Sequence, residues 1–111
     1  DVYVKTAGGI KIDEPATDLP IAVALASSFS NRKLLPQCVI FGEVGLSGEV
    51  RAVSKARQRV EESIRMGFTN IILPKKNFAE VSKLSSAAKA NLLPVENLRE
   101  ALKVSMPREK I

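Results

Sequence analysis

Gly42-Glu43-Val44-Gly45-Leu46-Ser47-Gly48-Glu49-Val50 lies between Val39-Ile40-Phe41 and Arg51-Ala52-Val53, and it reads as a glycine-rich hairpin turning at Ser47-Gly48. Glycines at 42 and 45 inside an extended pattern mark close backbone approach or a bulge. Directly after the hairpin, residues 55 to 66 place Ala56, Val60 and Ile64 four apart on one face. Gly67 supplies the left-handed stop that ends this amphipathic helix. Phe68-Thr69-Asn70-Ile71-Ile72-Leu73-Pro74 follows as a buried strand, so hairpin, helix and strand set a mixed α/β order.

Working outward toward the N-terminus, Leu19 to Ala26 begins a helix that runs to about Ser30. Thr17 or Asp18 caps it, and Pro20 is tolerated in the first turn, where its missing N–H has no partner anyway. Its apolar residues lie almost all round, the mark of a buried helix. Before it, Val2 and Val4 alternate with Tyr3 and Lys5, which predicts a strand over residues 1 to 6, then a turn at Gly8-Gly9 and a short extended stretch, Ile10 to Ile12. Toward the C-terminus, residues 78 to 84 read as weakly helical and Leu92 to Val95 as a short strand. Leu98, Ala101 and Leu102 form the inner stripe of a last helix starting near Asn97, and Met106 to Ile111 reads as a frayed basic tail. The expectation is one two-layer α/β domain over residues 1 to 104 with a tail at 105 to 111 and about four or five strands. Its core should hold Leu25, Phe41, Val60, Ile64, Ile72 and Leu102.

Of the 111 residues, 45% are hydrophobic and 26% charged, a globular balance that excludes a disordered or collagen-like polymer. No apolar stretch approaches a membrane span, and Asp1-Val2-Tyr3-Val4-Lys5 lacks the layout of a signal peptide, so the chain reads as cytoplasmic. With one cysteine, Cys38, and no histidine, an internal disulfide, the usual zinc sets and every histidine-based mechanism are excluded. Tryptophan is absent and aromatics make up only 5%, which leaves little for stacking single-stranded bases. The net charge of +5 is uneven, because residues 51 to 111 carry thirteen basic and six acidic groups while residues 1 to 50 carry four and six. That asymmetry fits a polyanion partner, and it also serves solubility.

Asp13-Glu14-Pro15-Ala16-Thr17-Asp18 before the first helix, the Gly42 to Val50 run, and Gly67-Phe68 leading to Ile72-Leu73-Pro74-Lys75 together resemble the proteolytic domain of Lon-type proteases. Within that superfamily the sequence is most similar to the C-terminal Lon-like domain of the bacterial RadA (Sms) family of DNA repair and recombination ATPases. The likeness rests on Gly8-Gly9, Glu14-Pro15-Ala16, Asp18-Leu19 and Gly42 to Leu46. It implies the superfold shared with a ribosomal protein domain and the GHMP kinases, with a left-handed crossover. It also implies a hexameric ring and an N-terminal zinc finger and ATPase upstream, to which ATP, Mg and Zn would belong. No cofactor or metal is expected in the present stretch, and the family usually has further strand and helix before the position of Asp1.

Lon-type proteolysis uses a serine nucleophile and a lysine base whose pKa burial can depress. By the resemblance, the serine position is Ala16 and the lysine position is Arg57. A methyl group cannot attack, and a guanidinium stays protonated at any working pH. Asp18 stands where the proteases have glycine. A shifted dyad of Thr17 and Lys55 is the enzymatic alternative, but two residues along a helix turn a side chain by about 200°, which takes Lys55 to another face. The expectation is therefore no peptidase.

What remains is a surface. Arg51, Lys55, Arg57, Arg59 and Arg65 fall within fifteen residues, and Arg51, Lys55 and Arg59 are spaced by four. Lys75 and Lys76, just past the strand ending at Pro74, extend the set. Glu61 precedes Arg65 by four, so that pair reads as an intrahelical ion pair. Arg51, Lys55, Arg57, Arg59, Lys75 and Lys76 are the candidate DNA-phosphate contacts, with charge reversal at Arg51 or Arg59 expected to matter most. A pure oligomerisation module with solubilising charge is the other reading.

Overall fold

The computed structural model describes residues 14 to 107. The strand expected at 1 to 6, the Gly8-Gly9 turn, the Ile10 to Ile12 stretch and the last four residues of the tail lie outside the described residues.

The centre of the fold is β4 (Asn70–Pro74). Ile71, Ile72 and Leu73 are all fully buried, and a run buried at consecutive positions has to be covered on both faces of its sheet. β4 pairs in parallel with β1 (Cys38–Ile40) on one side and with β5 (Asn91–Val95) on the other. Ile71 and Leu73 point into a cluster with Ala16, Phe41, Ala56, Val60 and Val81. Ile72 points the other way, to Leu19, Val23, Val50, Val95 and Ala101. The first face is covered by α2 (Ala56–Arg65) and α3 (Lys75–Val81), the second by α1 (Asp18–Ser30) and α4 (Leu98–Ser105). The mixed α/β class holds, and the described residues form three layers in place of the expected two.

The hairpin has its turn where expected. β2 (Glu43–Val44) runs antiparallel to β3 (Val50–Arg51), with Glu43 opposite Arg51 and Val44 opposite Val50. Gly48 takes φ +84°, a conformation glycine adopts at no steric cost. The outer strand docks on the β5–α4 connection, the Val50 N–H donating to the Glu96 carbonyl at 2.9 Å and the Leu98 N–H to the Gly48 carbonyl at 2.8 Å. Asn97 caps α4 by accepting from the Glu100 N–H at 2.8 Å.

Four local expectations need correction. α1 buries only Leu19 and Val23, while Leu25 is 41% and Phe29 87% exposed, so Leu25 is not a core residue and the helix is not buried all round. Thr17 is the N-cap of α1 by position but makes no capping bond. α3 begins at Lys75, ahead of the expected residue 78, because the chain passes straight from β4 into the helix at Pro74. Met106 is buried and its carbonyl accepts from the Arg32 guanidinium, so it belongs to the fold and not to a frayed tail. Phe41, Val60 and Ile72 are buried as expected, and Ile64 and Leu102 pack partly buried against the two clusters. No helix among the described residues is long and apolar enough to cross a membrane.

Candidate functional site

The corner where the resemblance puts a catalytic dyad is built by the start of α1 and the entry to the hairpin. A 3-10 turn at Pro15–Thr17 leads into α1. The Gly42 N–H donates to the Ala16 carbonyl at 3.0 Å, and the Leu19 N–H donates to the Gly42 carbonyl at 2.9 Å. One residue of the hairpin entry thereby satisfies a helix-start donor that has no partner within the helix. A Cβ on Gly42 would lie 3.1 Å from both Leu19 Cδ2 and Val50 Cγ1, which is the close approach read from the sequence. Asp18, the departure from the protease pattern, seats the hairpin, because its Oδ2 accepts from the Val44 N–H at 3.1 Å. The Ala16 methyl is buried beside Phe41, Ala56 and Val60. The Thr17 hydroxyl donates to the Glu14 carbonyl at 2.7 Å.

Arg57 does not reach this corner. Its neighbour Ala56 packs in the same cluster as Ala16, whereas Arg57, one step round the helix, is exposed and lines a cavity with Glu80, Lys83 and Leu84. Arg59 returns to the corner instead. Its Nη2 pairs with Glu14 Oε1, its Nε donates to the Ser54 carbonyl at 2.9 Å, and its guanidinium carbon sits 5.9 Å from the centre of the Phe41 ring. An ion pair over an aromatic face thus stands beside Ala16, where the resemblance puts the nucleophile.

Asn77 is a group that sequence reasoning missed. It is 3% exposed, accepts from the Val53 N–H at 2.9 Å, and donates to the Val53 carbonyl at 3.1 Å and to Glu80 Oε1 at 2.9 Å. This clamp ties the β3–α2 loop to α3, just before Lys55 takes the left-handed conformation that opens α2. No periodicity signals it, and the helix expected from residue 78 leaves Asn77 outside.

The candidate basic residues divide into two groups. Arg51 donates to Glu49 Oε2 from Nη2 at 2.9 Å and from Nε at 3.1 Å, with Glu43 at 3.9 Å across the hairpin. Lys75 pairs with Glu96 at 3.5 Å, and Arg59 with Glu14. Arg65 pairs with Glu62, three residues before it, and not with Glu61. Lys55, Arg57 and Lys76 are exposed and form no ion pair among the described residues.

Glu49 is the most perturbed carboxylate in this region. The Ser47 hydroxyl, donating at 2.8 Å, backbone N–H donors and Arg51 lower its pKa to about 2. A Cβ on Gly45 would fall 2.0 Å from that carboxylate, so glycine there leaves the space in which Glu49 folds back. Burial pushes the Cys38 thiol up to about 11, which keeps it protonated and inert. No group of three or more potential ligands among the described residues is arranged to hold a metal.

Residues 1–108 match the family described as Lon protease (S16) C-terminal proteolytic domain. The chain is 44% identical over 108 residues to the DNA repair protein RadA of Halalkalibacterium halodurans, covering 97% of this chain and 23% of the relative. It is 43% identical over 106 residues to the DNA repair protein RadA of Bacillus subtilis, covering 96% and 22%, and 41% identical over 103 residues to that of Streptococcus pneumoniae, covering 93% and 24%. The chain therefore belongs to the Lon protease C-terminal domain family, in the branch carried by RadA-type proteins. It spans about a quarter of the length of the relatives it matches.

Proposed function

We propose that this chain is a non-peptidase Lon-like domain serving a RadA-type DNA repair ATPase as a scaffold and a phosphate-contacting surface, in recombination and branch migration. The observation that carries the proposal is the corner itself. Ala16 offers a buried methyl where a hydroxyl is needed, and the cation that returns there, Arg59, is a permanently charged guanidinium locked to Glu14. Supporting the DNA repair role are the relatives named DNA repair protein RadA. On this reading ATP, Mg and Zn act in other parts of the parent protein, and the domain helps to hold a hexameric ring around DNA in the cytoplasm.

Its DNA contacts are sequence-independent and made by cations that form no ion pair among the described residues, foremost Lys55, Arg57 and Lys76. The pairing of Arg51, Arg59 and Lys75 with acids favours a second reading, an oligomerisation module whose basic charge is structural and solubilising. Duplex and single-strand affinity measured across salt in the assembled full-length protein separates the two. The first reading expects a log-log slope that falls by about one for each phosphate contact removed, the second no change. In a peptide-cleavage assay we expect no turnover. Activity that survived repeated purification and vanished in Thr17→Ala would overturn the non-peptidase assignment.

A further inference from the structure

The hairpin ends in an apolar knob. Leu46 is fully exposed at its tip, and the turn that carries it is cross-braced. The Gly48 N–H donates to the Gly45 carbonyl at 3.0 Å and the Gly45 N–H to the Glu49 carbonyl at 2.8 Å, while the Ser47 N–H and hydroxyl both donate to Glu49 Oε1, at 3.1 and 2.8 Å. A leucine on so fixed a turn is presented to a partner with little backbone freedom left to lose.

At the other end of the parallel sheet lies an open groove of about 620 Å³, walled by Leu35, Phe78, Ala90, Leu92, Val104 and Pro107. It includes Asn70 and Asn91, the first residues of β4 and β5, whereas the hairpin bonds to Glu96 and Leu98, past the carboxyl end of β5. The two amides are engaged: Asn91 donates to Asn70 at 3.0 Å, and Asn70 donates to the Pro36 carbonyl at 2.9 Å. An apolar occupant therefore suits the groove. β5 is the last strand of its sheet among the described residues, and the Asn91 N–H is spent on the Thr69 carbonyl, which by alternation turns position 94 to the open edge. Pro94 has no N–H to offer there, so the edge resists an added strand and leaves the groove to a side chain. Charge is complementary as well. Glu43 and Glu49 share the single guanidinium of Arg51, which leaves the hairpin net negative. Lys33, Lys89 and Lys103, each within two residues of a groove residue, are exposed and form no ion pair among the described residues.

We propose that the Leu46 tip of one copy of this domain seats in the β5 groove of a second copy, with the acidic hairpin facing the lysines that flank the groove. This rests on the scaffold reading above and gives it a surface. Knob and groove are different patches, so the contact repeats from copy to copy and closes a ring where the rotation allows.

The test uses the full-length protein that carries this domain. With a benzophenone side chain in place of Leu46, irradiation should join residue 46 of one copy to a groove residue such as Ala90 or Val104 of another, read by mass spectrometry of a mixture of two isotope-labelled pools. In sedimentation over a dilution series, Leu46→Glu should weaken subunit association about tenfold, with an unchanged unfolding midpoint because the side chain is exposed. Leu46→Met, which keeps an apolar tip, should stay within about twofold of the parent. Adducts confined to other surfaces, the absence of adducts, or unchanged association in Leu46→Glu would each overturn this proposal alone. Adducts in the groove that form only after residues 108 to 111 are deleted assign it to the chain's own end and overturn the proposal too. A full-length protein that stays monomeric at every concentration overturns the scaffold reading with it.

Discussion

Two basic regions of this domain sit within a few residues of each other on α2 and do opposite things. At the α1–hairpin corner, the polar groups Asp18, Thr17, Glu14 and Arg59 each make a bond within the protein. At the α2–α3 cavity, Arg57 and Lys83 are exposed beside Glu80 and form no ion pair among the described residues. The polar groups of the corner are engaged within the fold and anchor it, whereas the cations at the cavity are exposed. The lesson is that a cation's partner decides its role. Arg57 and Arg59 are two positions apart, and the 200° between them on the helix separates a surface group from a structural one.

The clamp that supports the cavity should give the largest effect. Asn77→Ala removes both partners of the half-buried Val53, leaving an N–H and a carbonyl short of bonds. We expect a loss of about 2 to 4 kcal/mol in urea unfolding, from the desolvation of two backbone groups. A loss below about 0.5 kcal/mol would mean that water replaces the clamp and that the cavity is not held by it.

Next in size is the contrast between the two arginines. Arg59→Ala gives up the Glu14 pair, the bond to Ser54 and the stacking on Phe41. Because the pair is part-exposed, its worth is discounted, and we expect about 1 to 2 kcal/mol. Arg57→Ala should change stability by less than about 0.5 kcal/mol, as for other surface substitutions. Equal stability losses at 57 and 59 would erase the distinction between anchor and open surface. The Arg59 guanidinium, expected from spacing to be a leading DNA contact, is engaged with Glu14 and the Ser54 carbonyl.

The division also explains what was legible in the sequence. The hairpin, α2, β4 and the capped α4 announce themselves through local signals: glycine spacing, apolar residues four apart, an unbroken Ile-Ile-Leu run, an Asn before a helix. The same run carried the news of a third layer, since consecutive buried residues need cover on both sides. The burial of α1 was not legible, because an apolar pattern all round a helix does not say which side has neighbours, and Leu25 and Phe29 were left outside. α3 hid its start behind Lys75 and Lys76, which carry no apolar signal. That residue 16 carries no hydroxyl is readable from the sequence, whereas the burial of its methyl beside Phe41, Ala56 and Val60 is not. The partners of Arg51, Arg59 and Lys75 were not, because Glu14 and Arg59 are 45 positions apart and only the fold brings them together. Arg65 found Glu62 over Glu61 because both spacings reach on a helix and local rotamers choose between them.

The smallest effect concerns Arg51, which sharpens the comparison because it can be moved from one class to the other. Glu49 is held at about 2 against its ordinary 4.5, with the Ser47 hydroxyl as the largest cause and Arg51 a further one. A carboxyl whose pKa is lower in the folded than in the unfolded chain stabilises the fold above the unfolded value, and that contribution is lost as pH falls through the folded value. The stability difference between the parent and Glu49→Gln should therefore be constant above about pH 4.5 and should shrink between there and about pH 2. Because Glu49 is exposed, the difference is small, and urea midpoints at closely spaced pH are needed to follow it. A difference that stays flat down to pH 2 would show that the Ser47 and Arg51 bonds do not hold the carboxylate in solution. The same substitution removes the closer of the two acids beside Arg51 at neutral pH and leaves only Glu43 at 3.9 Å. If partners decide roles, duplex affinity of the full-length protein should then rise modestly in Glu49→Gln and the salt slope should steepen. A variant with an unchanged slope would show that Arg51 lies out of reach of the nucleic acid whether or not it is paired.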